Sequence, residues 1–236
     1  MELIPGDYQF NAIYHGRPAQ RFWHSAKLRL LDRLQVTHSA QTVLDAGCGS
    51  GVVSHHLAGK CEKVVGIDTS QEAIEFATGK FGSSTLSFTN CKLQAASFAG
   101  RFDLIVCFEV LEHLEPTDVQ GVLNEFFTSA NTGAKLCITV PNSRSLWPLI
   151  EWILDSFHLV PKLKNEQHLT HFNRSNLECM LEVSGWKVDQ IATFNGIAPF
   201  LAGLSFNFAK RVEQIEFYLG RIFPLNLIYC VAVKET

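Results

Sequence analysis

The sequence predicts a doubly wound α/β fold, and three observations carry that prediction. Apolar runs of strand length alternate with amphipathic stretches of helical period between residues 42 and 140. The connections between them are short, so successive strands lie parallel, with right-handed crossovers and helices on both faces of one sheet. The first strand ends in three glycines, at the carboxyl edge where such sheets meet their ligands.

Taken in order, Ala19, Phe22, Trp23, Ala26, Leu30 and Leu34 recur at helical spacing after a polar start. Thr42 to Ala46 reads as the first strand, Val52 to Ala58 as helix and Lys63 to Asp68 as the second strand. Thr69 and Glu72 have the spacing of a capping box, opening a helix with Ile74, Ala77 and Phe81 on one face. Leu86 to Thr89 and Phe102 to Phe108 are the third and fourth strands. Val119, Val122, Leu123, Phe126 and Phe127 mark a helix stopped by Asn131 and Gly133 before a fifth strand, Lys135 to Val140.

Residues 142–174 form a long connection rich in aromatics and histidine (Trp147, Trp152, Phe157, His158, His168, His171, Phe172), the length of a lid or binding element. Ser175 and Glu178 read as the cap of a helix ending near Gly185, followed by a strand through Phe194. Phe208, Val212, Ile215, Leu219 and Ile222 predict a further helix with Lys210, Arg211, Glu213, Gln214 and Glu216 on its polar side. That mixed charge fits an ordinary packed helix better than a basic, membrane-seeking one. Leu227 to Lys234 is the last strand.

The composition excludes several classes. At 47% hydrophobic and 18% charged, 236 residues have ample apolar surface for a core, unlike a disordered or collagenous chain. A net charge of −3 supplies no global cationic field to recruit nucleic acid. Seven cysteines, an odd number with no C-x-x-C pair, read as reduced thiols in a cytoplasmic protein rather than a disulfide frame or zinc site. The N-terminal segment lacks the pattern of a signal peptide, and no apolar run has the length of a transmembrane segment. Peripheral membrane contact is left open, as is the oligomeric state.

The chemistry is concentrated in Val43-Leu-Asp-Ala-Gly-Cys-Gly-Ser-Gly51. Gly47, Gly49 and Gly51 have G-x-G-x-G spacing, and Val52 stands where a nicotinamide-binding G-x-G-x-x-G would need its third glycine. Asp45 just ahead of the glycines suits a ligand that presents an ammonium group rather than a phosphate. Asp68 ends the second strand, where one carboxylate accepts hydrogen bonds from both hydroxyls of a ribose. It also has the position of a cap for the helix that follows. Phe108-Glu-Val-Leu-Glu-His-Leu114 brings Glu109 and His113 to the same edge. The pocket described is one for a nucleoside with an amino-acid tail.

With these motifs in place, V-L-D-A-G-C-G-S-G, V-V-G-I-D-T-S, F-D-L-I-V-C-F-E-V-L-E-H-L and the G-W-K-V strand resemble the class I S-adenosylmethionine-dependent methyltransferases over about residues 35–194. The nearest branch is the small-molecule group that includes ubiquinone-biosynthesis O-methyltransferases, which have a similar E-x-L-E-H stretch. The resemblance implies a Rossmann-like seven-stranded sheet whose last strand is antiparallel. Residues 1–40 would be a helical cap, 41–141 the cofactor-binding half and 142–236 the acceptor-side half. Cofactor contacts are expected from Asp45, Gly47 and Gly49 at the methionine end, from Cys48 and Gly51 in the same loop, and from Asp68 on the ribose. Thr69 would stand beside the adenine, with Asn90 or a backbone group on its amino group, and Ser70, Cys91, Phe108 and Glu109 complete the expected cofactor contacts. Many relatives carry an acid after the third strand for the adenine amino group; this chain has Asn90-Cys91-Lys92 there.

The expected activity is methyl transfer to a small-molecule acceptor, with oxygen on a hydrophobic, quinone-like compound favoured. His113, His168 and His171 are the candidate bases. Glu166, His168 and His171 form an E-x-H-x-x-H pattern that differs from a zinc helix, and no metal is expected. The rivals are a non-catalytic cofactor-binding module and a nicotinamide-dependent oxidoreductase.

Overall fold

Strands whose residues are apolar almost without interruption must be covered on both faces, and such strands lie at the centre of one seven-stranded sheet. The strands are β1 (Thr42–Ala46), β2 (Lys63–Asp68), β3 (Leu86–Asn90), β4 (Phe102–Phe108), β5 (Ala130–Pro141), β6 (Lys187–Phe194) and β7 (Leu227–Val233). Their order is β3-β2-β1-β4-β5-β7-β6. β1 to β5 run parallel, and β7 is antiparallel to both β5 and β6. The computed structural model describes residues 5–93, 101–145 and 168–235.

The described helices are α1 (Tyr8–Tyr14), α2 (Pro18–Leu34), α3 (Val52–Ala58), α4 (Gln71–Phe81), α5 (Pro116–Ser129), α6 (Arg174–Val183), α7 (Ala198–Leu201) and α8 (Phe206–Leu219). Successive strand side chains point to opposite faces, so each strand feeds two cores. Val43, Leu104 and Val106 pack on one face against Leu31 of α2, Val53 and Leu57 of α3 and Phe81 of α4. Leu44, Ile105, Cys107 and Ile138 pack on the other face against α5 and α6. Trp186 is fully buried there, donating from Nε1 to the Leu123 carbonyl at 3.2 Å. Among the described residues no helix is long and apolar enough to cross a membrane.

The doubly wound sheet and its antiparallel last strand are as expected; the differences lie in the helices and at element ends. The N-terminal α1 has no counterpart in the sequence reading. Ser70, not Thr69, caps α4, its hydroxyl accepting from Ala73 N–H at 3.2 Å. Asn173 with Asn176, not Ser175 with Glu178, forms the capping box of α6. Asn131 and Gly133 do not separate helix from strand: β5 begins at Ala130, and Asn131 donates across to Asp103 at 2.8 Å beside a register shift in β4.

The largest departure is α8, whose orientation is set by its polar residues. Glu213 and Glu216 are buried while Phe208, Ile215 and Leu219 face outward. Glu213 receives a two-pronged contact from Arg29 of α2, at 2.7 and 2.6 Å. Glu216 accepts the backbone N–H groups of Gly196, Ile197 and Ala198 ahead of α7. Charge patterning along one helix cannot reveal partners supplied by another element. Trp147, Trp152, Phe157, His158 and Glu166 lie outside the described residues.

Candidate active site

β1 has β2 on one side and β4 on the other, so the winding reverses between β1 and β4 and the carboxyl edge opens into a crevice there. The loop leaving β1 is held by the neighbouring strand: Gly47 and Cys48 N–H both donate to the Ile67 carbonyl, at 2.8 and 2.9 Å. Gly47, Gly49 and Gly51 have φ of 79°, 49° and 78°, the left-handed region that a side chain disfavours. Gly47 and Gly51 are also closely packed. A Cβ on Gly47 would stand 2.3 Å from Val110 Cγ2, and one on Gly51 2.8 Å from the Phe88 ring. A Cβ on Gly49 would instead stand 3.0 Å from the end of the flexible Gln9 side chain of α1, a neighbour able to move aside.

Asp68 ties this loop to the next helix. Its Oδ2 accepts from Gly49 N–H and its Oδ1 from Ser70 N–H, each at 2.8 Å. Each carboxylate oxygen keeps further acceptor capacity. Asp45 lies deeper, 2% exposed, and accepts from the Ser54 hydroxyl at 2.6 Å. Burial raises its pKa to about 6; the Ser54 hydrogen bond and Lys27 oppose the rise, and Asp68 adds to it. Cys48 is buried, its thiol pushed well up by burial and then by the charges of Asp45 and Asp68.

Beyond β2, Asn90 donates from Nδ2 to the Asp68 carbonyl at 3.0 Å, which leaves its Oδ1 as an acceptor. Cys91 N–H donates to the same carbonyl at 3.1 Å, and Thr69 is exposed at the turn. Phe108 is buried in the apolar core shared with α2 and α3. Glu109, the next residue, has φ of 57°, a left-handed backbone on a residue that rarely adopts it. Its N–H donates to the Thr139 carbonyl of β5, and its carboxylate meets Lys27 Nζ at 3.4 Å.

Lys27 and its neighbour His24 were missed in the sequence. Lys27 is a lysine only 3% exposed, held over the site by α2. Burial, then the Lys27 charge, lowers the His24 pKa to about 4, and His24 Nδ1 is buried without a hydrogen-bond partner. The signal was present: Lys27 sits four residues after Trp23 and four before Leu31, on the apolar stripe of the helix. The N-terminal helix α1 also reaches the loop, Phe10 N–H donating to the Ser50 hydroxyl at 3.0 Å.

Of the three candidate bases, two come together. His113 lies in a short 3₁₀ turn, Leu111–His113, with its ring centroid 5.5 Å from that of His168. Ligating atoms of Glu112, His113 and His168 lie within 4.8 Å of one another, a donor set able to share a proton or a borderline divalent ion. Leu169 and Thr170 N–H groups donate to the Glu112 carbonyl and fasten this segment to the turn. His171 is exposed and, among the described residues, outside the group that His168 forms with Glu112 and His113.

A family model for a methyltransferase domain matches residues 15–191. The chain is 28% identical over 142 residues to a ubiquinone biosynthesis O-methyltransferase of Thiobacillus denitrificans, covering 54% of this chain and 57% of that protein. It is 32% identical over 135 residues to the protein of the same name from Coxiella burnetii, covering 54% and 56%. The matches thus span little more than half the length of these curated relatives. The fold superposes on a crystal structure of a SAM-dependent methyltransferase from Archaeoglobus fulgidus with a TM-score of 0.67 at 20% identity, covering 96% of this chain and 99% of that one. The family match takes in the glycine loop, both strand-end aspartates and Glu109, and by it this chain belongs to the methyltransferase domain family.

Proposed function

We propose that the chain transfers the methyl group of S-adenosylmethionine to an oxygen of a small, hydrophobic, ring-bearing acceptor. One observation carries the reading. Around a single crevice stand a glycine loop backed by a buried acid, a second acid ending the next strand, and an ion pair between the buried Lys27 and the half-buried Glu109. These groups fit the cofactor. Asp68 has acceptor capacity for the two ribose hydroxyls, and Asn90 Oδ1 is an acceptor for the adenine amino group, with Thr69, Ser70 and Cys91 beside it. Glu109 and Asp45 favour the ammonium of the methionine end and Lys27 its carboxylate, so the zwitterion takes up charges that face each other without it. The backbone at Gly47, Cys48 and Gly49 allows close approach, and Gly51 and Phe108 support it from the packed side.

The cofactor supplies an electrophilic methyl on a sulfonium, so the protein has to align the acceptor, keep water out and remove a proton. His113 and His168 are the bases we assign to that proton, with Glu112 beside them. The curated relatives named as O-methyltransferases support oxygen as the acceptor. The buried Thr139 hydroxyl at the carboxyl end of β5 has no hydrogen-bond partner, and neither has the Asn195 side chain after β6.

The test is incubation with methyl-labelled S-adenosylmethionine and a panel of catechols and hydroxylated quinols carrying alkyl tails. Label in an aryl methyl ether, with matching S-adenosylhomocysteine, is expected. Label on amines alone, or cofactor binding without transfer to any acceptor, contradicts the proposal.

A further inference from the structure

We propose that the outer face of α8 and the turns on either side of it dock onto a membrane surface rich in anionic lipid. Phe208, Ile215, Leu219 and Ile222 repeat at intervals of three, four and seven and form one stripe, Ile215 being 58% and Ile222 78% exposed. Leu204 before the helix and Phe223 after it extend the stripe, at 83% and 54% exposed. Scattered exposed apolar residues are ordinary in proteins, whereas a continuous aliphatic and aromatic stripe on one helix marks an interaction surface.

The exposure is enforced by the fold. The Arg29–Glu213 pair and the seat of Glu216 on the Gly196–Ala198 backbone fix the rotation of the helix. Turning Ile215 inward would pull both carboxylates from their partners.

Charge decides the occupant. Residues 197–225 contain five charged side chains: Lys210, Arg211 and Arg221 are exposed, and the two acids, Glu213 and Glu216, are buried. In a chain of net charge −3, this face is therefore locally cationic as well as apolar. That combination is what an anionic headgroup layer over acyl chains rewards. A second copy docked about a two-fold axis through the stripe would set these cations against themselves. The surface follows from the same carboxyl edge of the sheet as the crevice, with β5 and β7 between β4 and β6. β6 ends at Phe194, paired through Leu227 with Pro141 at the end of β5, and α7 and α8 follow directly from that edge. The docking itself rests only on α8, and the test reads adhesion without cofactor, so its outcome is separable from that of the methyl-transfer proposal.

The protein is floated with vesicles of equal parts phosphatidylcholine and phosphatidylglycerol, and with phosphatidylcholine alone. Binding to the mixed vesicles, falling as salt is raised, is expected, with little binding to the neutral ones. Ile215→Asp should abolish it, and Lys210→Gln and Arg211→Gln should each weaken it about fivefold. Circular dichroism melts should stay unchanged, because these side chains are already in water. Absence of the wild-type protein from both vesicle fractions overturns the proposal, as does undiminished flotation of Ile215→Asp. A concentration-dependent dimer that Ile215→Asp dissolves overturns it in favour of a second copy.

Discussion

Asp45 carries a charge that the fold alone does not favour. Its folded pKa, about 6, lies above the unfolded value of 3.8, so the native state holds the extra proton between these values. Stability from this group is therefore complete below about pH 4 and lost as pH rises through about 6. Asp45→Asn keeps an acceptor for the Ser54 hydroxyl and removes the buried charge. It should raise stability at pH 7 by about 2–3 kcal/mol in denaturant titrations while weakening S-adenosylmethionine binding. In the wild type, affinity for that cation should fall as pH drops below about 6, read by calorimetry from about pH 8 to about pH 5. His24 acts in the opposite sense. Its folded pKa of about 4 lies below the ordinary 6.5, so acidification through that window destabilises the native state and offsets part of the Asp45 effect. Asp68→Ala should weaken cofactor binding about 10- to 100-fold, the scale of lost hydrogen bonds to a charged acceptor. Asp68→Asn, which keeps an acceptor for Gly49 or Ser70, should recover part of the loss.

Among the elements, the glycine loop divides into two kinds of position that the sequence does not distinguish. Gly51→Ala should cost stability, because the new Cβ meets Phe88 and Ala77 and takes a left-handed φ of 78°. A loss of about 1–3 kcal/mol is expected in thermal or urea melts. Gly49→Val meets only Gln9 and strains a φ of 49°, so its larger effect should be on cofactor titration, with the circular dichroism spectrum largely kept. Asp45, Gly49 and Asp68 were legible because strand ends, turn glycines and their acids are contiguous in the chain. The caps at Ser70 and Asn173 were misplaced by one or two residues because neighbouring Ser, Thr and Asn compete for the same role, and only the backbone φ, ψ of the turn decides between them. On α8, Lys210, Arg211 and Gln214 face outward as expected, but Glu213 and Glu216 turn inward because Arg29 and the Gly196–Ala198 backbone, remote in sequence, make burial of two glutamates favourable.

Over the whole molecule, the alternation of strand and helix was enough to give the sheet, since burial on both faces leaves few other arrangements for such strands. The groups gathered at the candidate site were legible on the sheet side and hidden on the helix side. Lys27 and His24 come from a helix that precedes the sheet and folds back over its carboxyl edge, and a helical period in isolation does not say which stripe residue meets a ligand. His113 and His168 meet because Leu169 and Thr170 are hydrogen-bonded to the Glu112 carbonyl, a long-range contact with no local signature. The most direct measurement is a calorimetric titration of the wild-type chain and Asp68→Ala with S-adenosylmethionine and with NADH at neutral pH. One saturable site for S-adenosylmethionine, weakened by the substitution, and no heat with NADH is the predicted result; saturation by NADH, or S-adenosylmethionine binding indifferent to Asp68→Ala, would contradict it.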